Sequence, residues 1–292
     1  MGGALAAAGG GIVDTHTHFY DPRRPQGVPW PQKTDAVLYR PVLPREYKAM
    51  VEPLGVSGTI VVEASPWVED NQWVLDLAKD DPFLLGLVGH LAPGAAEFER
   101  DLERFRKNAL FLGIRLGGWA IREGIEQPQF LADIRLMARH GLMLDALGGA
   151  GMLGDVARLA REAPELRIVI DHMPFDPPAW VEALRALAPL KNVFCKVSNV
   201  LRRRAGALIT EPEYYRPGLE TLWDAFGARR LIYGSNWPVS DKVGPYAEVL
   251  RVVQAYFSAK GAEASALYFR ENSRAAYRWR ARGRGLPVRA DV

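Results

Sequence analysis

Residues 14–18 read Asp-Thr-His-Thr-His, directly after the apolar pair Ile12-Val13. In an extended strand alternate side chains share a face, so His16 and His18 leave the backbone on one side and Thr15 and Thr17 on the other. Two neighbouring neutral imidazoles supply half of a tetrahedral zinc shell. Two hydrogen-bonded pocket or core histidines are the plainer reading of an isolated His-x-His. The rest of the chain decides between them.

Other apolar runs also close on polar side chains. Glu63 follows TIVV, His90 follows LVG, Arg115 sits in LGIRLGG, Asp145 in LMLDAL, His172 in RIVIDHMP, Lys196 in VFCKVSN and Asn236 in LIYGSNWP. A charged group at the end of a buried strand is costly unless something uses or neutralises it. Arg115 or Lys196 pairing with Glu63 or Asp145 would make each a structural feature. Together, at the same end of successive strands, they make a ring suited to catalysis. His140, in ARHG, falls at a helix end, where a cap or surface role is expected.

The elements that must position this ring are eight apolar runs: Ile12–His16, Gly58–Ala64, Phe83–Leu91, Leu110–Leu116, Leu142–Leu147, Arg167–His172, Asn192–Ser198 and Arg230–Ser235. Between them lie helical periodicities over Asp70–Lys79, Ala95–Lys107, Phe130–Arg139, Val156–Ala163, Trp180–Leu187, Tyr214–Phe226 and Tyr246–Phe257. Strands alternating with helices predict a parallel sheet buried on both faces. The expected fold is α/β, a distorted (β/α)8 TIM barrel with a long lid loop after strand 1 and a C-terminal helical extension. An open dinucleotide-binding sheet is disfavoured, because no Gly-x-Gly-x-x-Gly turn follows the first strand. The glycine-rich LGGAGMLGD reads as a tight loop feeding a helix.

Two connections are long. Phe19 to about Pro44 mixes prolines with Tyr20, Trp30 and Tyr39, and aromatic anchors predict a functional lid. Asn199 to about Glu211 carries Arg202, Arg203 and Arg204, either a solvated loop or a grip on an anionic substrate group. In a barrel both connections lie on the C-terminal face, where active sites form.

The chain has 292 residues, 48% hydrophobic and 24% charged, with a formal net charge of +3. This is globular composition, with enough length for one barrel domain. The expected division is a disordered lead-in over 1–11, a single domain over 12–280 and a basic tail over 281–292. The lone cysteine, Cys195, excludes an internal disulfide and suits a reducing compartment. The opening MGGALAAAGGG lacks the features of a signal peptide or membrane span, so a cytoplasmic protein without membrane partners is expected. Arginines crowd the end, from Arg270 through Arg289, without interleaved recognition motifs. A solvated surface is expected there rather than a nucleic-acid site. Oligomeric state is open.

With His-x-His on strand 1, a histidine in IDHMP and YGSNWPVS after strand 8, the chain resembles the amidohydrolase superfamily. Within it, the resemblance is to the lactonase-like branch of L-fuconolactonase, L-rhamnonolactonase and 2-pyrone-4,6-dicarboxylate lactonase. It runs from about Ile12 to Arg280 and includes GIR in strand 4 and CKVS in strand 7. It implies opening of a small cyclic ester by water. His16, His18 and His172 match histidines that bind a divalent metal in some members and polarise the carbonyl directly in others, so one metal, zinc first, or none is implied. Arg115 matches an arginine that holds a substrate carboxylate, and Asp145 and Lys196 match polar strand ends. His90, Trp237 and Arg202 join the expected substrate-binding set. A strand 4 arginine in place of a carboxylated lysine argues against a binuclear centre.

The departure is at Asn236, where such lactonases usually carry an aspartate that serves as general base. An amide orients water but does not take its proton at neutral pH. The base then moves to Glu63, Asp145, Asp241 or a histidine, or a metal lowers the pKa of water. The small-molecule partner is a lactone or sugar acid. The competing readings are a metal-dependent decarboxylase on the same barrel and a non-catalytic sugar-acid-binding barrel.

Overall fold

The structure, a computed structural model, describes residues 11–172 and 179–283. The lead-in over 1–10, the segment after His172 and the tail beyond Gly283, with Arg284 and Arg289, lie outside the described residues. Strands β1 (Ile12–Thr17), β2 (Val56–Val62), β3 (Leu84–Gly89), β4 (Phe111–Gly117), β5 (Met143–Leu147), β6 (Arg167–Asp171) and β7 (Val193–Val197) follow in order. A two-residue hairpin, β8 (Arg203–Arg204) with β9 (Ala207–Leu208), precedes the last barrel strand, β10 (Leu231–Tyr233). The eight long strands form one sheet in sequence order, each pairing parallel with the next. The expected barrel is therefore observed, with strand ends within about two residues of the expected ones.

Closure between β10 and β1 is incomplete, and this is where the barrel is distorted. Among the described residues a single bridge, Thr17 to Trp237, joins the two edges. Side chains do the rest. Thr15 Oγ1 donates to the Tyr233 carbonyl at 2.6 Å, and Asp14 Oδ1 accepts the Ser235 N–H at 2.9 Å. The His18 N–H reaches Trp237 O at 2.9 Å, and the Asn236 N–H reaches His16 O at 3.0 Å. These contacts lock the His-x-His segment to the Asn236 turn.

Side-chain alternation divides the core. Val13, Ile60, Val62, Leu85, Val88, Leu112, Met143, Val169, Phe194 and Ile232 make an inner cluster, while Val61, Leu87, Ile114, Leu144 and Ile170 pack with the surrounding helices. Besides the expected helices there are Pro44–Val51, Gly118–Gly124 and, in the C-terminal extension, Ala262–Ala266 and Asn272–Tyr277. Ala276, Tyr277 and Trp279 join the inner cluster. The Arg167 guanidinium, at the first residue of β6, donates to Ala276 O, so the extension plugs the barrel at the strand N-termini.

The arginine-rich end is largely structural where it is described. Arg270 and Arg274 lie over the Trp279 ring, and Arg282 donates to the carbonyls of Ala78, Lys79, Asp81 and Leu84. No helix among the described residues is long and apolar enough to cross a membrane.

Candidate active site

The strand C-termini bring His16, His18 and His172 together. Ring centroids of His16 and His18 are 4.9 Å apart, and those of His16 and His172 are 4.3 Å apart. A side chain at Gly234 would place its Cβ 2.9 Å from His16 Cβ, so glycine keeps the β10 turn close to the imidazole. His172 has φ +54° and Asn236 φ +63°, left-handed conformations that turn the chain at two strand ends.

Beneath the imidazoles, Lys196 is fully buried. Its Nζ donates to Asp145 Oδ2 at 2.6 Å and to His16 Nδ1 at 3.1 Å, and forms an ion pair with Asp171 Oδ1 at 2.8 Å. Burial disfavours the ammonium, but the two carboxylates outweigh it and hold its pKa above the ordinary value. Asp145, which also accepts the Tyr277 hydroxyl at 3.0 Å, is pushed up to about 7 by burial and by the charge of Asp171. For Asp171 burial acts upward, yet Lys196 and the imidazoles carry it well below the usual carboxylate range.

These contacts fix two proton positions. An ammonium can only donate, so His16 accepts at Nδ1 and, when neutral, carries its proton on Nε2. A carbonyl can only accept, so the His18 Nδ1 contact to Val62 O at 3.0 Å puts its proton on Nδ1 and leaves a lone pair on Nε2. His172 Nδ1 meets Ser198 Oγ at 2.8 Å. Burial, reinforced by Arg115, depresses His18 to about 3. Burial, with Lys196 and Arg115 working against Asp171, depresses His172 to about 4. All three imidazoles are thus neutral at pH 7, since His16 is also lowered by burial and Lys196.

His16, Asp171 and His172 could hold a metal ion, with one ligand atom from each lying within 4.8 Å of the others. This differs from the all-histidine set His16, His18 and His172. Asp171 was not singled out from sequence because strict alternation sends adjacent residues to opposite faces, whereas the left-handed turn at His172 brings both to the site.

The remaining candidates divide. Glu63 receives Arg115 Nε at 2.7 Å and the Ser65 N–H at 2.8 Å, which ties up the carboxylate proposed as a base. Asp145 is likewise committed, to Lys196 and Tyr277. His90 exchanges backbone hydrogen bonds with the Asn71 side chain, and its pKa is lowered by burial. Asp241 hydrogen-bonds the Trp237 side chain and pairs with Arg40 at 3.7 Å. The arginine loop stands apart from an anion site: Arg202 Nη1 donates to the carbonyls of Asn199, Val200 and Leu201, and Arg203 donates to Val243 O and Gly206 O. The loop after β1 packs over the mouth, bridged by Tyr20 to Val42, with the Trp30 ring 5.7 Å from that of His18.

The chain is similar to known proteins. An L-fucono-1,5-lactonase of Burkholderia ambifaria is 34% identical over 246 residues, covering 81% of this chain and 83% of that protein. An L-fucono-1,5-lactonase of Burkholderia multivorans is 26% identical over 280 residues, covering 88% and 92%. A Burkholderia multivorans amidohydrolase crystallised with bound zinc superposes with a TM-score of 0.82 at 22% identity, over 93% of this chain and 100% of that one. The amidohydrolase family model matches residues 13–279, from the second residue of β1 to the Trp279 of the barrel floor. That span takes in the three histidines, Asp171, Lys196 and Asn236, and the chain belongs to the amidohydrolase family.

Proposed function

We propose that the protein is a lactonase that opens sugar-acid lactones with water. The observation that carries this reading is the cluster of three neutral imidazoles over a buried Lys196–Asp171 pair, in a chain 34% identical to an L-fucono-1,5-lactonase. Ester hydrolysis needs a donor for the carbonyl oxygen, an acceptor for the proton of water, and a group that places that water. His16 Nε2–H supplies the first: it is buried, and no partner for it occurs among the described residues. His18 Nε2, with its lone pair set by Val62, supplies the second. A weak base at its depressed pKa of about 3, it gains basicity as the oxyanion forms beside it, because a neighbouring negative charge favours the imidazolium. The Asn236 side-chain amide, on a residue whose backbone N–H is tied to the His16 carbonyl, orients the water.

The proton balance is simple. Water adds to the carbonyl carbon while His18 takes its proton, and the negative charge builds on the carbonyl oxygen beside His16. Collapse breaks the bond to the ring oxygen, which takes the proton from His18. The product hydroxy acid then ionises, so each ring opened releases one proton.

A single divalent ion, zinc in the first place, would be held by His16, Asp171 and His172 only with His16 in its other tautomer, the proton on Nδ1 facing Asp171 Oδ1 at 3.5 Å and the Nε2 lone pair free to ligate. The buried Asp171 Oδ2 has no hydrogen-bond partner among the described residues, a condition buried polar groups rarely tolerate. Such an ion, when bound, supplies Lewis-acid polarisation and a lower pKa for water. Two imidazoles and one carboxylate match zinc preference.

The test is proton release from L-fucono-1,5-lactone and a panel of other aldonolactones, with carbon dioxide release from aromatic acids followed in parallel. Stoichiometric proton release supports the lactonase. Carbon dioxide release, or stabilisation by sugar acids without turnover, would replace it with the decarboxylase or the binding protein.

A further inference from the structure

Arg115, in β4, already holds a carboxylate from its own chain. Its Nε donates to Glu63 Oε1 at 2.7 Å and its Nη2 to the Glu63 backbone carbonyl at 2.8 Å. The two side chains are 12% and 16% exposed. Glu63 is fixed on its other side as well, since Oε2 accepts the Ser65 N–H at 2.8 Å. The pair therefore rests on three hydrogen bonds, with one backbone group at each end. Glu63 lines a cavity with Trp30, whose ring is 5.7 Å from that of His18.

The neighbouring cations are compensated too. Arg24, which lines the same cavity as Glu63 and Trp30, pairs with Asp70 at 2.8 Å. Arg40, over the Trp237 ring, pairs with Glu46 at 2.8 Å. Lys196 lies between Asp145 and Asp171. This side of the mouth thus presents hydrogen-bond donors without a surplus of positive charge.

We propose that Glu63 is a specificity-determining residue. By neutralising Arg115 it selects lactones whose ring substituents are uncharged hydroxyls and rejects lactones bearing a further carboxylate. The inference rests on the lactonase reading above. An incoming carboxylate must share Arg115 with Glu63, or displace Glu63 and leave a partly buried carboxylate without its partner. A hydroxyl needs only a donor, and a guanidinium has five N–H groups, of which Glu63 takes two.

The test compares kcat/KM for a neutral aldono-1,5-lactone and for a lactone bearing an additional carboxylate, in the wild type and in Glu63→Gln. Thermal shifts with the corresponding lactams report binding without turnover. The wild type is expected to favour the neutral lactone by on the order of ten- to hundredfold, the scale of one unit charge a few ångströms away. In Glu63→Gln the ratio should move toward the acidic lactone by about tenfold or more. A wild type that prefers the acidic lactone, or a folded Glu63→Gln with an unchanged ratio, overturns the proposal. If Glu63→Gln does not fold, the wild-type ratio decides. If the wild type opens neither lactone, the lactonase reading fails. The lactams then decide separately: preferential stabilisation by the neutral lactam supports the role of Glu63, and preference for the acidic one overturns it.

Discussion

Lys196 Nζ donates to His16 Nδ1 across 3.1 Å in a fully buried space. That hydrogen bond sets the proton of a neutral His16 on Nε2 and turns the imidazole into a donor toward the mouth. The ammonium is itself held charged by Asp145 and Asp171, so one buried lysine links the charge balance of the barrel interior to the proton position at the site.

Removing that lysine should unbalance the interior. Lys196→Met leaves Asp145 and Asp171 buried without their common cation, a change expected to cost about 3–5 kcal/mol. Urea denaturation of the two proteins measures it. Equal midpoints would show that the buried ion pair contributes nothing to the fold.

His18 as proton acceptor predicts a loss confined to turnover. His18→Ala should lower kcat by about 10²- to 10⁴-fold with little change in KM. The Val62 carbonyl loses its donor at a cost of about 1 kcal/mol. Steady-state kinetics on the preferred lactone checks the split. A kcat within a few-fold of wild type would assign the proton to another group.

The depressed histidines make stability depend on pH with a definite sign. In the unfolded chain the imidazoles take up protons near pH 6.5, whereas the folded state keeps His172 neutral to about 4 and His18 to about 3. His16 behaves alike; Asp145, raised to about 7, offsets one of the three by protonating first in the folded state, and buried Asp14, also raised, works in the same direction as Asp145. Stability is therefore full above pH 6.5 and falls as pH drops from there toward 4. Each uncancelled proton contributes about 1.4 kcal/mol per pH unit. Denaturation at pH 7.5 and pH 5, with the imidazole proton resonances followed by NMR, tests it. Site imidazoles titrating near 6.5 in the folded protein would contradict it.

The barrel was legible because parallel strands buried on both faces are continuous apolar runs, and each run ended on a residue that water would otherwise claim. His16, His18, His172 and Lys196 stood out on that ground. The helix Gly118–Gly124 was hidden behind a glycine pair, and β10 is three residues long because the polar turn to Asn236 begins at Gly234. What the sequence could not display is partner choice. Glu63 and Arg115 are 52 residues apart and Lys196 and Asp145 are 51 apart, so only the closed barrel decides which charge neutralises which. Asp171 was hidden by an alternation rule that the left-handed His172 breaks, and Arg202 by a loop that folds its own carbonyls around the guanidinium.

If His18 and Asn236 divide the work as proposed, lactone opening needs no carboxylate at position 236. Proton release from an aldonolactone, measured for the wild type and Asn236→Asp side by side, tests it most directly. The wild type should turn over, releasing one proton per ring opened, because His18 takes the proton and Asn236 only places the water. Turnover by Asn236→Asp alone, with the wild type silent, would contradict it.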